Sequence, residues 1–404
     1  MQEQTELEPS FPPDSLPRST VQQIMRNFSM DQECSNIEEA GCGVCGILYP
    51  VLSMSNLKDF QQYMHLLCIE DRVVSRIERT DASDLIRPFT GPILATDCDK
   101  ICPDCVLSLN KSERPTQALA NGLWLGNVPT SLQELTLAEK MLVARVRHNR
   151  CVVRVASGGL KMRANAIMFS NPTPKIYDVL PPPKQEMDEV LAFIFTGPTR
   201  PTEEEFRRTP MLVSHKRVTA ALEWLKLNHS DYQDLTISYE NIKEYKDNSI
   251  PVVMSYHQSN NPTGDSLGKG LDFDGNDHGT QAGSCPLVSI KALKAIAMKH
   301  LTNTGKVLAV GHADQPESIY NNPQLYPQMF PWLFPYGLGG LGNNNGYRPI
   351  PEKAHKKWLL MYYDKRFQLD QYFPIIAFNQ EQIKASTTGG FLVAERNSFD
   401  DITQ

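Results

Sequence analysis

The sequence predicts an α+β protein, with a cysteine-knuckle module followed by a mixed α/β domain and the start of a further helical α+β domain. Three observations carry this. Two Cys-x-x-Cys pairs stand at Cys42-Gly-Val-Cys45 and Cys102-Pro-Asp-Cys105. Between about 115 and 256, segments of helical period alternate with short runs rich in β-branched residues. Finally, residues 322–341 interleave Tyr326, Phe330, Trp332, Phe334 and Tyr336 with Pro323, Pro327, Pro331 and Pro335, before Gly337, Gly339 and Gly340.

Residues 1–40 hold eight acids and two bases, which accounts for the whole net charge of −6. Residues 1–33 are therefore expected as a disordered acidic tail. No basic and apolar leader precedes them, and no apolar run reaches the length of a membrane span. The expectation is a protein that is not secreted, nuclear or cytoplasmic, with reduced thiols.

Residues 34–112 form the expected cysteine-rich module. Leu57, Phe60, Met64 and Leu67 recur at helical spacing, so 56–69 is predicted as an amphipathic helix. Each Cys-x-x-Cys can place two thiolates on one ion, and two such knuckles complete a tetrahedral four-sulfur structural zinc site of Cys42, Cys45, Cys102 and Cys105. The 56 residues between the knuckles exceed the usual ribbon spacing and must loop out. The alternatives are four buried reduced cysteines or a redox pair. Cys34 and Cys98 are spare candidates for a ligand, and Cys68, Cys151 and Cys285 read as core. A site closed by four thiolates serves stability and leaves no open position for catalysis.

A mixed α+β domain with a basic hairpin is expected over 115–256. Thr136 and Glu139 make a capping box that opens a helix running through Val146. Residues 151–156 and 160–169 read as two strands of a hairpin around Ser157-Gly158-Gly159. Ser214 caps a helix carrying Val218, Leu222 and Leu225, and 251–256 is a short strand. From Lys140 through Tyr177 there are eight bases and no acid. Arg145, Arg147, Arg150, Arg154, Lys161 and Arg163 are the candidate nucleic-acid contacts. A solvated basic face matched by acids elsewhere, such as Glu203–Glu205, is the other reading. Trp124, in the run Ala118–Pro129, can stack on a base but sits between two leucines as a core plug does.

Residues 257–284, rich in Asn, Gly, Asp and Ser, are expected as a flexible linker or loop. The third unit, 286–404, is predicted to hold a helix over 290–301, a strand over 307–310 and a helix over 353–373. In the aromatic run, a proline at every fourth place predicts an extended, rigid wall of rings. With few bases nearby, that wall reads better as a packing ridge than as a base-stacking surface. The Tyr363-Asp364-Lys365-Arg366-Phe367 core can orient a base or make a plain surface salt bridge.

No P-loop, no His-hydrophobe-His pair and no nucleophile elbow occurs in the chain, so no catalytic residue is assigned. Two stretches resemble a known family. The knuckles, the run Ala118–Pro129 and Arg147-His-Asn-Arg-Cys151 look like a domain of unknown function common in fungal genomes. Ile319-Tyr-Asn-Asn-Pro323 through Leu341, then Trp358–Tyr362, Asp364–Phe367 and Phe373, resemble the start of the helicase-like N-terminal region of Helitron-type rolling-circle transposases. There that region leads into a nickase and a helicase, and this sequence reaches Gln404 before either. The resemblance implies a non-catalytic, nucleic-acid-binding part of a Helitron-like transposase, binding single-stranded or transposon-end DNA. The alternative is an interaction or scaffold module that docks a downstream nuclease-helicase.

Overall fold

The structure, a computed structural model, describes residues 15–69, 73–149, 152–154, 160–162, 167–170, 179–182, 191–197, 212–245, 253–258, 307–310, 317–342 and 348–396. It is a mixed α+β arrangement of helices and small sheets. Helix α1 (Arg18–Asp31) lies in the segment expected to be a disordered tail, and corrects that expectation. Val21, Ile24, Met25 and Phe28 recur at helical period with no Gly or Pro among them; the acidic composition of the surrounding forty residues masks this local pattern. No residue of α1 is buried. Helix α2 (Cys34–Ile37) follows, with Asn36 Nδ2 donating to the Met30 carbonyl at 2.7 Å.

In the cysteine module, β1 (Glu39–Gly41) pairs antiparallel with β2 (Leu48–Pro50), and β3 (Ser55–Asn56) with β4 (Lys100–Ile101). The helix expected over 56–69 is instead a 3-10 segment, Leu57–Leu67, bent at Phe60 (φ −113°, ψ 20°). The bend still lets Leu57, Met64 and Leu67 bury, so apolar spacing alone could not distinguish the two. Helix α3 (Pro103–Asn110) begins with proline at its first position, where the missing N–H has no helical partner to lose.

Helix α4 (Thr130–Gln133) precedes α5 (Leu137–Val143). The expected capping box is present: Thr136 N donates to Glu139 Oε2 at 2.8 Å, and Glu139 N to Thr136 Oγ1 at 3.2 Å. The buried Glu139 also accepts from Ser214 N at 2.7 Å and Arg217 Nε at 2.9 Å, so one carboxylate caps α5 and anchors the start of a later helix. Helix α5 stops at Val143, short of the expected Val146, because Val146 is taken by a strand.

That strand is β5 (Val146–Asn149); β6 (Val152–Arg154), β7 (Leu160–Met162) and β8 (Ile167–Ser170) follow. The expected hairpin forms between β6 and β7, with Val152 opposite Met162. The single strand expected over 160–169 is two, because β8 leaves to pair with β5. After β9 (Val179–Leu180) and β10 (Leu191–Gly197) comes helix α6 (His215–Asn228), which buries Val218, Leu222 and Leu225 as its period predicts. Strand β11 (Thr236–Ile237) pairs parallel with β9; helix α7 (Tyr239–Glu244), β12 (Val253–Gln258) and β13 (Val307–Val310) complete the order.

A five-stranded sheet runs β12-β10-β13-β6-β7. Strand β13 sits between β10 and β6, antiparallel to both. A strand from beyond residue 286 therefore completes the sheet of the preceding unit, so the expected boundary does not divide the strands. Residues 259–306, including the helix expected over 290–301, lie outside the described residues.

The aromatic run is not an extended wall throughout. Leu325–Met329 form a short helix, α8, with Pro327 inside it. Pro327 is the third helical residue, within the first turn, where backbone N–H groups are unpaired in any helix. The helix expected over 353–373 is broken into α9 (Glu352–Leu360) and α10 (Arg366–Leu369), separated by Lys365 at φ +59°, and α11 (Phe373–Arg396) follows. Rings from these pieces close the core. Phe334 meets Phe367 at 5.2 Å and Phe330 meets Phe373 at 5.6 Å. One hydrophobic cluster runs without interruption from Cys42 to Ala377, so the cysteine module, the helical unit and the aromatic run share a core.

Candidate metal centre

The first knuckle is a tight turn between β1 and β2. Cys42 N donates to Ile47 O at 2.9 Å and Gly46 N to Cys42 O at 2.7 Å. Gly46 has φ +73°, and a Cβ there would lie 2.5 Å from the Tyr362 ring. Only glycine meets both demands. The second knuckle is a helix start, in which Cys102 is the N-cap of α3 and Cys105 lies in its first turn. The N–H of the N-cap Cys102 is given to the Cys42 sulfur, a bond that favours thiolate.

The cysteines meet although 56 residues separate the two pairs. The ligand atoms of Cys42, Cys45, Cys102 and Cys105 all lie within 4.8 Å of one another, and every one of the four residues is buried. Cys45 Sγ and Cys102 Sγ are 3.8 Å apart, and Cys102 N donates to Cys42 Sγ at 3.3 Å. The thiols are free, without a disulfide. Hydrogen bonds from Cys102 above all, then from Cys105 and Cys45, draw the Cys42 thiol far below its usual range. The bond with Cys102 most strongly pushes Cys45 and Cys105 the other way. A divalent cation would let all four ionise together, so this donor set fits a metal ion.

The outer layer ties this centre to the far end of the sequence. Trp358 Nε1 donates to the Cys45 carbonyl at 2.7 Å. Tyr363 N donates to Gly46 O at 2.8 Å and Leu48 N to Met361 O at 2.9 Å, so the turn between α9 and α10 forms an isolated antiparallel bridge with the knuckle, Tyr362 opposite Ile47. On the opposite side, Tyr49 OH donates to Asp104. Only the Trp358–Tyr362 periodicity hinted at this arrangement in the sequence, and it gave no partner.

The spare cysteines stand apart from the four-sulfur group. Cys34 is exposed on α2, and Cys98 is half-buried, its thiol pushed up to about 12 chiefly by burial. Cys68 is half-buried, its thiol 3.5 Å from the Met64 carbonyl. Cys151 and Cys285 lie outside the described residues.

The basic candidates are not gathered on a surface. Arg145 is buried, donating to the Asp231 carbonyl and to Asp234 Oδ1 at 3.1 Å. Arg147 is also buried, and burial lowers its pKa to about 9. Neither presents its guanidinium to a phosphate backbone, which corrects the expectation for these two. The sequence hid this because it shows charge without showing burial. Arg150 and Arg163, and the side chains of Arg154 and Lys161, lie outside the described residues.

The rings are equally committed. Trp124 is a core plug, 4.9 Å from Tyr336 and edge-on to Phe89. Arg366 makes its salt bridge with Asp364 at 2.5 Å and also donates to Leu333 O at 3.2 Å and Gly126 O at 2.8 Å. It clamps the run around Trp124 to the aromatic run. No described helix is long and apolar enough to cross a membrane.

A family model described as a domain of unknown function (DUF6570) matches residues 111–243. The match covers α4 through most of α7 and leaves all four clustered cysteines outside it. No curated protein and no solved structure matches the chain.

Proposed function

We propose that the chain is a non-catalytic interaction module held together by one structural zinc ion, resembling the N-terminal part of Helitron-type transposases and docking a downstream nuclease-helicase. One observation carries this reading: four buried thiols converge within 4.8 Å of one another, and Cys45 and Cys102 stand 3.8 Å apart, close to the about 3.8 Å between sulfurs of a tetrahedron with Zn–S about 2.3 Å. Such a site is closed and supplies folding energy. Its backbone wiring to Trp358 and Tyr363 makes the ion a staple between the cysteine module and the C-terminal unit. The rings of the aromatic run are spent in the core, so docking falls to other groups. Tyr320, Leu369 and Phe378 remain exposed on the same unit.

The test has two parts. Metal analysis of the purified chain should find one zinc per molecule, lost on Cys42→Ser. A purified Helitron-type nuclease-helicase should bind the zinc-loaded chain and release it when Leu369 and Phe378 are both changed to Ser. A metal-free folded chain, or no complex, contradicts the reading.

The acid-free stretch from Lys140 to Tyr177 favours a second reading, DNA capture through Arg150, Arg154, Lys161 and Arg163. Affinity for single- or double-stranded DNA should then fall steeply with salt and drop on changing these four to Ala. Salt-insensitive binding, or none, removes it.

A further inference from the structure

Helix α1 is an amphipathic helix whose apolar face none of the described residues covers. Val21, Ile24, Met25 and Phe28 are 41%, 53%, 65% and 67% exposed and form one stripe at i, i+3, i+4 and i+7. A fourteen-residue helix is marginal on its own in water, so its stability calls for a covering partner. We propose that the occupant is a second copy of this chain, with two α1 helices pairing antiparallel about the Ile24–Met25 peptide.

The residue order supports that dyad. Three positions before Ile24 stands Val21, and three after Met25 stands Phe28; six before stands Arg18, and six after stands Asp31. In an antiparallel pair the small Val21 lies opposite the large Phe28 of the second copy. Ile24 and Met25 cluster around the axis. Arg18 comes level with Asp31 and the carbonyl end of the second helix, where a cation is favoured. A parallel pair would instead set Arg18 beside Arg18 and Phe28 beside Phe28.

The attachment of the helix agrees. Among the described residues, α1 is tied to the rest of the chain at its C-terminal end, where Asn36 Nδ2 donates to Met30 O, and α2 is tied on through Val51 N donating to Glu38 O. Antiparallel pairing puts the two points of attachment at opposite ends of a rod about 21 Å long. Parallel pairing would press them together at one end. An anionic membrane is a poor alternative occupant, because residues 1–40 carry eight acids against two bases.

The contact is short of the roughly 1,200 Å² typical of stable complexes, so the dimer is weak and concentration-dependent. Sedimentation equilibrium of the full chain from micromolar to near-millimolar concentration should show the mass rising from 45.5 kDa towards twice that value. The double variant Ile24→Ser, Phe28→Ser should stay at the monomer mass throughout while keeping the wild-type thermal transition of the body. A photo-crosslinking residue at position 21 should label the region of Phe28 in the other copy. A monomer at every concentration overturns the proposal, as does crosslinking of position 21 to position 21. So does an unchanged dimer in the double variant, or flotation of the monomer with phosphatidylcholine–phosphatidylserine vesicles.

Discussion

The indole N–H of Trp358 donates to the carbonyl of Cys45 at 2.7 Å, across 313 positions of sequence. Both groups are buried, so each would be left unsatisfied if the other moved, at a cost of about 1–3 kcal/mol. The cysteine cluster and the packing of the C-terminal unit are thereby joined, alongside the Tyr363–Gly46 and Leu48–Met361 bonds.

Gly46 is where that junction tolerates least change. With φ at +73° and the Tyr362 ring against its open side, Gly46→Ala adds both backbone strain and a collision. The substitution should cost about 1–3 kcal/mol in urea denaturation. Gly91, also at positive φ but with no neighbour within 4 Å, separates the two effects. Gly91→Ala should cost clearly less.

Asp370 collects charge for the aromatic run. Its Oδ2 accepts from Lys140 Nζ at 3.1 Å and Trp332 Nε1 at 2.8 Å, and its Oδ1 from the amides of Tyr372 and Phe373, both at 3.0 Å. Burial alone would raise its pKa, but Lys140 and these donors together hold it below the usual carboxylate value. Its stabilising contribution is therefore complete above pH 3.8 and is lost only as pH falls below that, through the lowered folded value. Asp370→Asn turns one acceptor into a donor facing donors. It should destabilise the chain by about 3–5 kcal/mol at neutral pH, read by chemical denaturation.

Two buried histidines set the response to mild acid. Burial lowers His229 to about 3 and His355 to about 4, against 6.5 when unfolded. Both remain neutral in the folded chain while the unfolded chain takes up protons. Stability is thus full above pH 6.5 and declines as pH falls, by roughly 1.4 kcal/mol per unit for each histidine. His355 Nε2 has no hydrogen-bond partner among the described residues, and His355→Leu gives up the ring's hydrogen bond with the Gly339 backbone. That variant should lose about half of the stability slope between pH 6.5 and 5. An unchanged slope would show that His355 does not drive it.

Much of this was legible locally. The capping box at Thr136, the α6 stripe and the β6–β7 hairpin follow from patterns a few residues long, which the tertiary structure leaves intact. The four cysteines were legible because metal geometry restricts which residue types serve. What could not be read was long-range competition. Val146 forms a helix or a strand according to whether β8 arrives beside it. The aromatic run bends at Pro327 because Phe373 and Phe367 wait to receive its rings. Arg145 and Arg147 looked like surface bases because a sequence shows charge without showing burial. In α1 the opposite happened, as an average over forty residues obscured a clear local period.

If one metal ion couples the knuckles to the C-terminal unit, hydrogen exchange of the full chain will read that coupling. The amides of Leu48 and Tyr363 report the two sides of the junction. Removing zinc with a chelator, or changing Cys105 to Ser, should release protection at residues 42–48 and 358–363 together, and restoring zinc should return both for the wild type only. If chelation leaves Tyr363 as protected as before while the knuckle opens, or if the chain binds no metal, no ion couples the two parts.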